Sequence, residues 1–188
     1  MIRICVLGDI GSGKSYIAKQ FGYPVFNADY EVSKIYKKNK KCFNELKKRL
    51  PAHIFSFPVK KKEINDAIIS SKHNLKKVIK VVHPKIRSKL NSFLKKNRSK
   101  KFVVLDIPLL MENKINKKKD ILIFIDAKKK EINRRLKKRL NFSKVIINKL
   151  KKMQLPLEHK KKHSHFIIKN NFKKNYVKKA VKEILSNA

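Results

Sequence analysis

The chain has no tryptophan and no threonine, only two cysteines, and four glycines in 188 residues. Acidic groups are scarce too, 13 against 51 lysines and arginines, which leaves a formal charge of +38. Each scarcity excludes something. Cys5 lies in an apolar run and Cys42 in a lysine-rich stretch, with no C-x-x-C pair, so neither a disulfide framework nor a zinc module is indicated. No apolar run approaches the ~18 residues of a membrane-spanning helix, and MIRICVL passes directly into a strand-like run. The expectation is a cytoplasmic protein with no membrane partner. Without tryptophan, and without aromatics interleaved among basic residues, the chain lacks the pattern of a base-stacking surface.

What is abundant is lysine. Basic surfaces attract nucleic acid through salt-dependent contacts, so +38 raises that reading. The distribution argues against it: residues 1–30 carry three basic and two acidic groups, and the excess is spread over almost all of the remaining chain, forming no single arm or stripe. The lysine runs at 60–62, 117–119 and 160–162 read as solvated turns or helix faces. A general drift of composition toward Lys, Asn and Ile accounts for the charge, and no specific nucleic-acid partner is expected. A monomer is favoured.

Three of the four glycines, Gly8, Gly11 and Gly13, fall in VLGDIGSGKSYIAKQ. Glycine tolerates positive φ and close approach, so such a cluster marks an unusual backbone path or an intimate contact. Upstream, IRICVL is a continuous apolar run with one charge, the pattern of a strand buried on both faces. Downstream, Ile17, Ala18 and Phe21 recur at helical spacing and stop at Gly22. Strand, glycine loop and helix, with Gly8, Gly13, Lys14 and Ser15 in the G-x-x-x-x-G-K-[ST] frame, make a Walker A phosphate loop. Gly8, Gly11, Ser12, Gly13, Lys14, Ser15 and Tyr16 are the candidate nucleotide contacts. The loop N–H groups would wrap phosphate, Lys14 would add charge, and the Ser15 hydroxyl would ligate Mg²⁺.

The coarse pattern is α/β. Candidate strands are 1–7, 23–26, 102–106, 121–125 and 165–168, with amphipathic helices at 29–39, 41–50, 62–71, 74–82 and 84–97, and a helical excursion over about 129–162. The second and third strands are about 75 residues apart, too far for a simple crossover. A short parallel sheet with two helical insertions is the shape of a small kinase, one insertion holding the acceptor and the other closing over ATP.

At this point the chain resembles the dephospho-CoA kinase family. The resemblance rests on GDIGSGKS at 8–15, FNADYEVSKIY at 26–36, HPKIR at 83–87, VVLDIPLLMEN at 103–113, RRLKKR at 134–139 and QLPLEHKKKHSHFIIKNN at 154–171. It implies a P-loop fold with a five-stranded parallel sheet flanked by helices. The core would be 1–30, 100–128 and 164–188, with a helical acceptor-binding insertion at about 31–99 and a lid at about 129–163. The implied reaction moves the ATP γ-phosphate, with Mg²⁺, to the ribose 3′-hydroxyl of dephospho-CoA. Two alternatives are a P-loop kinase for another nucleotide or small alcohol, and a nucleic-acid-binding P-loop protein.

Each block also has a plain physical reading. Asp29 follows the second strand at the sheet edge where α/β folds bind ligands, and can take the proton of the attacking hydroxyl or cap a helix starting at Tyr30. Asp106 ends an apolar strand in the Walker B manner, and either holds Mg²⁺ through water or steadies the turn at Ile107-Pro108; Glu112 is a second metal candidate. Three of seven arginines lie within residues 134–139, and Arg135 and Arg139 stand i and i+4 on one helix, able to grip triphosphate or simply to face solvent. Asn170 and Asn171 match where the family contacts adenine, and otherwise form a turn. His83 before Pro84 shapes a turn or packs near the acceptor. His163 and His165 point the same way, but no third metal ligand is evident. The chain also departs from the family: Asp9 replaces a common Gly and must turn outward from an anion loop, Tyr16 replaces Thr, Asn27 replaces Asp, and Ile64-Asn65 replaces a Leu-Arg pair.

Overall fold

A computed structural model describes residues 1–138 and 143–188. Five strands form one sheet: β1 (Ile2–Gly8), β2 (Val25–Asn27), β3 (Phe102–Asp106), β4 (Ile121–Asp126) and β5 (Phe166–Lys169). Their spatial order is β2-β3-β1-β4-β5, and every neighbouring pair is parallel. A parallel sheet is covered on both faces, which is why its strands read as unbroken apolar runs. All of β3 is buried, as is β1 after its first residue.

The described chain divides into two compact units, Met1–Asn27 with Asn97–Ala188, and Ala28–Lys96. In the first, α1 (Lys14–Gln20) and α9 (Lys174–Ser186) cover one face of the sheet. Ile17, Ala18, Phe21, Val177, Val181 and Ile184 meet Ile4, Val6, Phe102, Val104, Ile123 and Ile125 in one core. Between β4 and β5 run α6 (Lys129–Lys137), α7 (Lys144–Lys151) and α8 (Leu157–Lys162).

The one charge in β1, Arg3, is buried with a partner. Its guanidinium forks onto both carboxylate oxygens of Asp120, with Nε donating to Oδ1 at 2.7 Å, and Nη2 also donates to the Ile115 carbonyl at 3.1 Å. The Lys117 N–H completes Asp120 at 2.8 Å. Burial, and then the Asp120 charge, push the neighbouring Cys5 thiol well above its ordinary value, so Cys5 stays a neutral core residue.

The second unit is helical: α2 (Ala28–Lys38), α3 (Lys40–Arg49), α4 (Lys61–Ser70) and α5 (Lys72–Lys96). They close around Ile35, Cys42, Leu46, Ile54, Ala67 and Val81. The Asn39 side chain caps α3 by accepting the Cys42 N–H at 2.8 Å. The expected break at His83-Pro84 is absent, because α5 is continuous with Pro84 inside it. Proline removes one helical hydrogen bond and costs about 3 kcal/mol in a helix interior. Burial of Val78, Val81 and Val82 before Pro84 and Leu90 beyond it outweighs this, at roughly 1.5–3 kcal/mol per large apolar side chain. No described helix is long and apolar enough to cross a membrane.

Candidate active site

Gly8, Gly11 and Gly13 all have positive φ, at 140°, 89° and 95°. A Cβ at Gly8 would lie 2.7 Å from the Ile125 carbonyl oxygen, and one at Gly13 would run into the Asn170 amide. Both positions therefore need glycine for conformation and for space. Lys14 curls back over the loop, its Nζ donating to the carbonyls of Gly8 at 3.2 Å and Asp9 at 2.7 Å. Ser12 is fully buried, and its hydroxyl oxygen has no hydrogen-bond partner. Tyr16 lies on the exposed side of α1.

Asp9 does not turn outward as its position in an anion loop suggested. Its carboxylate is buried against its own loop, Oδ1 accepting the Ile10 N–H at 2.6 Å and Oδ2 accepting Lys151 Nζ from α7 at 3.1 Å. A buried carboxylate needs such donors, and the lysine cancels the charge that would repel phosphate. Beside this pair lies a cavity of about 360 Å³ lined by Asp9, Asp126, Lys129, Lys151, Gln154 and Leu155, among others.

At the opposite side of the loop, β2 and β3 end in register at Asn27 and Asp106. Asp106 is 3% exposed. Asn27 Nδ2 donates to Asp106 Oδ2 at 2.5 Å and reaches Ser15 Oγ at 3.4 Å. A hydroxyl and a carboxylate therefore converge on one point, and these hard oxygen donors fit Mg²⁺. Glu112 lies elsewhere: its Oε1 accepts Lys160 Nζ at 2.5 Å and the Leu155 N–H at 2.9 Å. Ligating a metal would leave Lys160, itself 3% exposed, as an uncompensated buried charge.

Asp29 is exposed and lies inside the first turn of α2, which starts at Ala28. It is not an external cap for a helix starting at Tyr30, although a carboxylate in the first turn still favours the helix dipole. Asn170 is 4% exposed and braces the phosphate loop, with Nδ2 donating to the Ser12 carbonyl at 2.8 Å and Oδ1 accepting the Phe172 N–H at 2.9 Å. Phe172, at φ 62°, turns its ring under Arg135, whose guanidinium lies 4.4 Å from the ring centroid. Arg134 instead pairs with Glu131 at 2.5 Å. The described part of α6 ends at Lys137, and the expected i, i+4 face of Arg135 and Arg139 falls in part on Arg139, which lies outside the described residues.

The histidines separate as well. The Leu122 N–H donates to His165 Nδ1 at 3.0 Å, whereas His163 Nδ1 donates to the His159 carbonyl at 2.8 Å, so the two do not form a pair. Among the described residues no group of three or more His, Cys, Asp or Glu could hold a metal. In the helical unit, a groove of about 800 Å³ follows one face of α5, lined by Lys80, His83, Arg87, Ser88, Asn91 and Lys95, among others. Burial, and then the Arg87 charge, hold His83 below its ordinary value. Ile64 is buried in the core of this unit and Asn65 half-buried beside it.

A sequence profile of dephospho-CoA kinase matches residues 2–175, nearly the whole chain. The chain belongs to the dephospho-CoA kinase family. A dephospho-CoA kinase of Wolbachia pipientis wMel is 32% identical over 187 residues, covering 97% of this chain and 95% of its own. A solved Thermus thermophilus protein superimposes with a TM-score of 0.79 at 27% identity, covering 99% of this chain and 97% of its own. A dephospho-CoA kinase from Campylobacter jejuni shares the fold, with a TM-score of 0.63 at 24% identity and coverage of 98% and 96%.

Set in a dephospho-CoA kinase, the geometry adds residues that pattern reading passed over: Phe172 under Arg135, Lys151 on Asp9, and Lys160 on Glu112. Phe172 carried no local signal beyond following two asparagines. Lys151 was one lysine among dozens. From the sequence Glu112 reads as a metal candidate, because its cationic partner lies 48 residues later.

Proposed function

We propose that the chain transfers the γ-phosphoryl group of ATP to the ribose 3′-hydroxyl of dephospho-CoA, giving coenzyme A and ADP. The observation that carries this reading is the phosphate loop, closed on one side by Lys14 and flanked by the convergent oxygens of Ser15 and Asp106, in a chain of this family. Loop N–H groups bind the phosphates, and Lys14 exchanges its loop carbonyls for phosphate oxygens. Ser15 and Asp106 would hold Mg²⁺, which when bound draws charge from the β- and γ-phosphates.

Asp29 takes the proton of the 3′-hydroxyl as its oxygen attacks the γ-phosphorus and the bond to ADP breaks. Arg135 meets the charge that develops on the triphosphate; its hold on Phe172, beside the Gly13 end of the loop, supports a place near the nucleotide. Asn170 acts on the nucleotide through the Ser12 backbone that it braces. The α5 groove, with Lys80, Arg87 and Lys95, suits an anionic acceptor. Phosphoryl transfer needs little covalent help from protein, so positioning and charge do the catalysis.

ADP release, measured with dephospho-CoA, with a panel of nucleoside monophosphates and with RNA in parallel, tests this reading. Turnover with dephospho-CoA alone is expected. Turnover with a nucleoside monophosphate and none with dephospho-CoA would overturn it.

A further inference from the structure

We propose that Asn27 is a positioning residue for the divalent metal, and that its neutral amide makes metal binding depend on nucleotide; this rests on the reading of Ser15 and Asp106 as the Mg²⁺ ligands. Asn27 is the last residue of β2, and its register partner Asp106 is the last of β3. Side chains at paired positions of adjacent parallel strands leave the sheet on the same side, so the amide and the carboxylate meet directly, with 2.5 Å between Nδ2 and Oδ2. The same nitrogen reaches the Ser15 hydroxyl at 3.4 Å. An amide nitrogen carries two N–H groups, so one side chain spans both oxygen ligands.

The chemistry of this bridge differs from that of a cationic or an acidic neighbour. A lysine in its place would cancel the Asp106 charge and compete with a metal. An aspartate would set a second carboxylate against the first, an arrangement that attracts a divalent ion on its own. The amide orients Asp106 and leaves its negative charge uncancelled. A single buried carboxylate and a hydroxyl make a weak site for Mg²⁺, which keeps its waters unless phosphate oxygens complete the shell. Metal and nucleotide therefore arrive together.

Mn²⁺ serves as a spectroscopic probe. The full-length protein and its Asn27→Leu and Asn27→Asp variants would be titrated with Mn²⁺, free ion being followed by electron paramagnetic resonance with and without ADP. Melting temperatures would be recorded in Mn²⁺ and in chelator. Asn27→Leu keeps the side-chain size but removes the donor, and is expected to weaken Mn²⁺ binding in the presence of ADP by about tenfold or more. Its affinity for ADP in chelator should be unchanged.

Asn27→Asp should move the other way. It is expected to bind Mn²⁺ without ADP at least about tenfold more tightly than wild type. It should also melt lower than wild type in chelator and recover in Mn²⁺. A residue that only tidies the strand ends would shift both melting temperatures and neither metal affinity.

If wild type binds Mn²⁺ with ADP and both variants match it, the role of Asn27 is overturned and the metal ligands stand. If wild type binds ADP but takes up no Mn²⁺ with it, the ligand assignment of Ser15 and Asp106 fails, and the proposal fails with it.

Discussion

Asp29 and Arg135 carry the chemistry in this reading, and each is tested by a change that keeps its size. Asp29→Asn removes the proton acceptor and keeps the side-chain size, so turnover should fall by on the order of 10²–10⁴ with ADP affinity nearly unchanged. Single-turnover kinetics beside an ADP titration checks this; near wild-type turnover would reduce Asp29 to a favourable charge in the first turn of α2. Arg135→Lys keeps the charge but loses the planar guanidinium that lies over Phe172. A fall in kcat of about tenfold or more is expected. Lys137→Ala and Lys138→Ala, on the same stretch, supply the control: losses as large as that of Arg135→Lys would mean that diffuse positive potential is at work, and added salt should erase it.

At the scale of elements, α5 runs through Pro84 because its apolar residues on either side are held by the helical core. The proline has no N–H to offer the Lys80 carbonyl, and its ring is exposed, so nothing in the core is gained by it. Pro84→Ala restores a donor and a good helix former, and should stabilise the protein by about 1–3 kcal/mol. Urea unfolding followed by circular dichroism measures the change; a loss of stability would show that the proline sets a helix geometry that the packing requires. The sheet strands need no such override. Their apolar runs satisfy the burial that a parallel sheet imposes, and the one charge of β1 is absorbed by the Arg3–Asp120 pair.

For the whole molecule, the dominant quantity is the charge of +38. Self-repulsion of this size opposes the compact state, and 13 acidic groups cannot pair with more than a fraction of the 51 cations. Salt screens such repulsion within about 10 Å at 0.1 M. Raising NaCl from about 0.02 M to about 0.3 M should therefore raise the melting temperature, where a charge-balanced protein would change little. Calorimetry decides the point, and a flat or falling profile would mean that the lysines are too far apart to repel one another appreciably. Folding around a nucleotide adds to this: saturating ADP at 100 times its dissociation constant contributes about 2.7 kcal/mol.

The parallel sheet, the phosphate loop and membership of the family were legible in the sequence, because each is written in residues close together. β1, the glycine loop and α1 are one contiguous stretch, and an apolar run or a glycine at positive φ is a local requirement. The partners of the polar groups were not legible. Arg3 meets Asp120 across 117 residues, Asn27 meets Asp106 across 79, and Lys151 meets Asp9 across 142. A polar side chain does not specify its partner; the sheet order and the register do, by bringing strand ends side by side. The same holds for Pro84, where local preference says break and long-range burial says continue. Sequence alone determined which segments are strands and where the glycine loop lies between β1 and α1, since those depend on backbone preference and apolar pattern. Only the tertiary structure decided which charges are cancelled, which carboxylate meets a lysine and which meets an amide, and which helix runs on through its proline, since those depend on groups that meet only once the chain has folded.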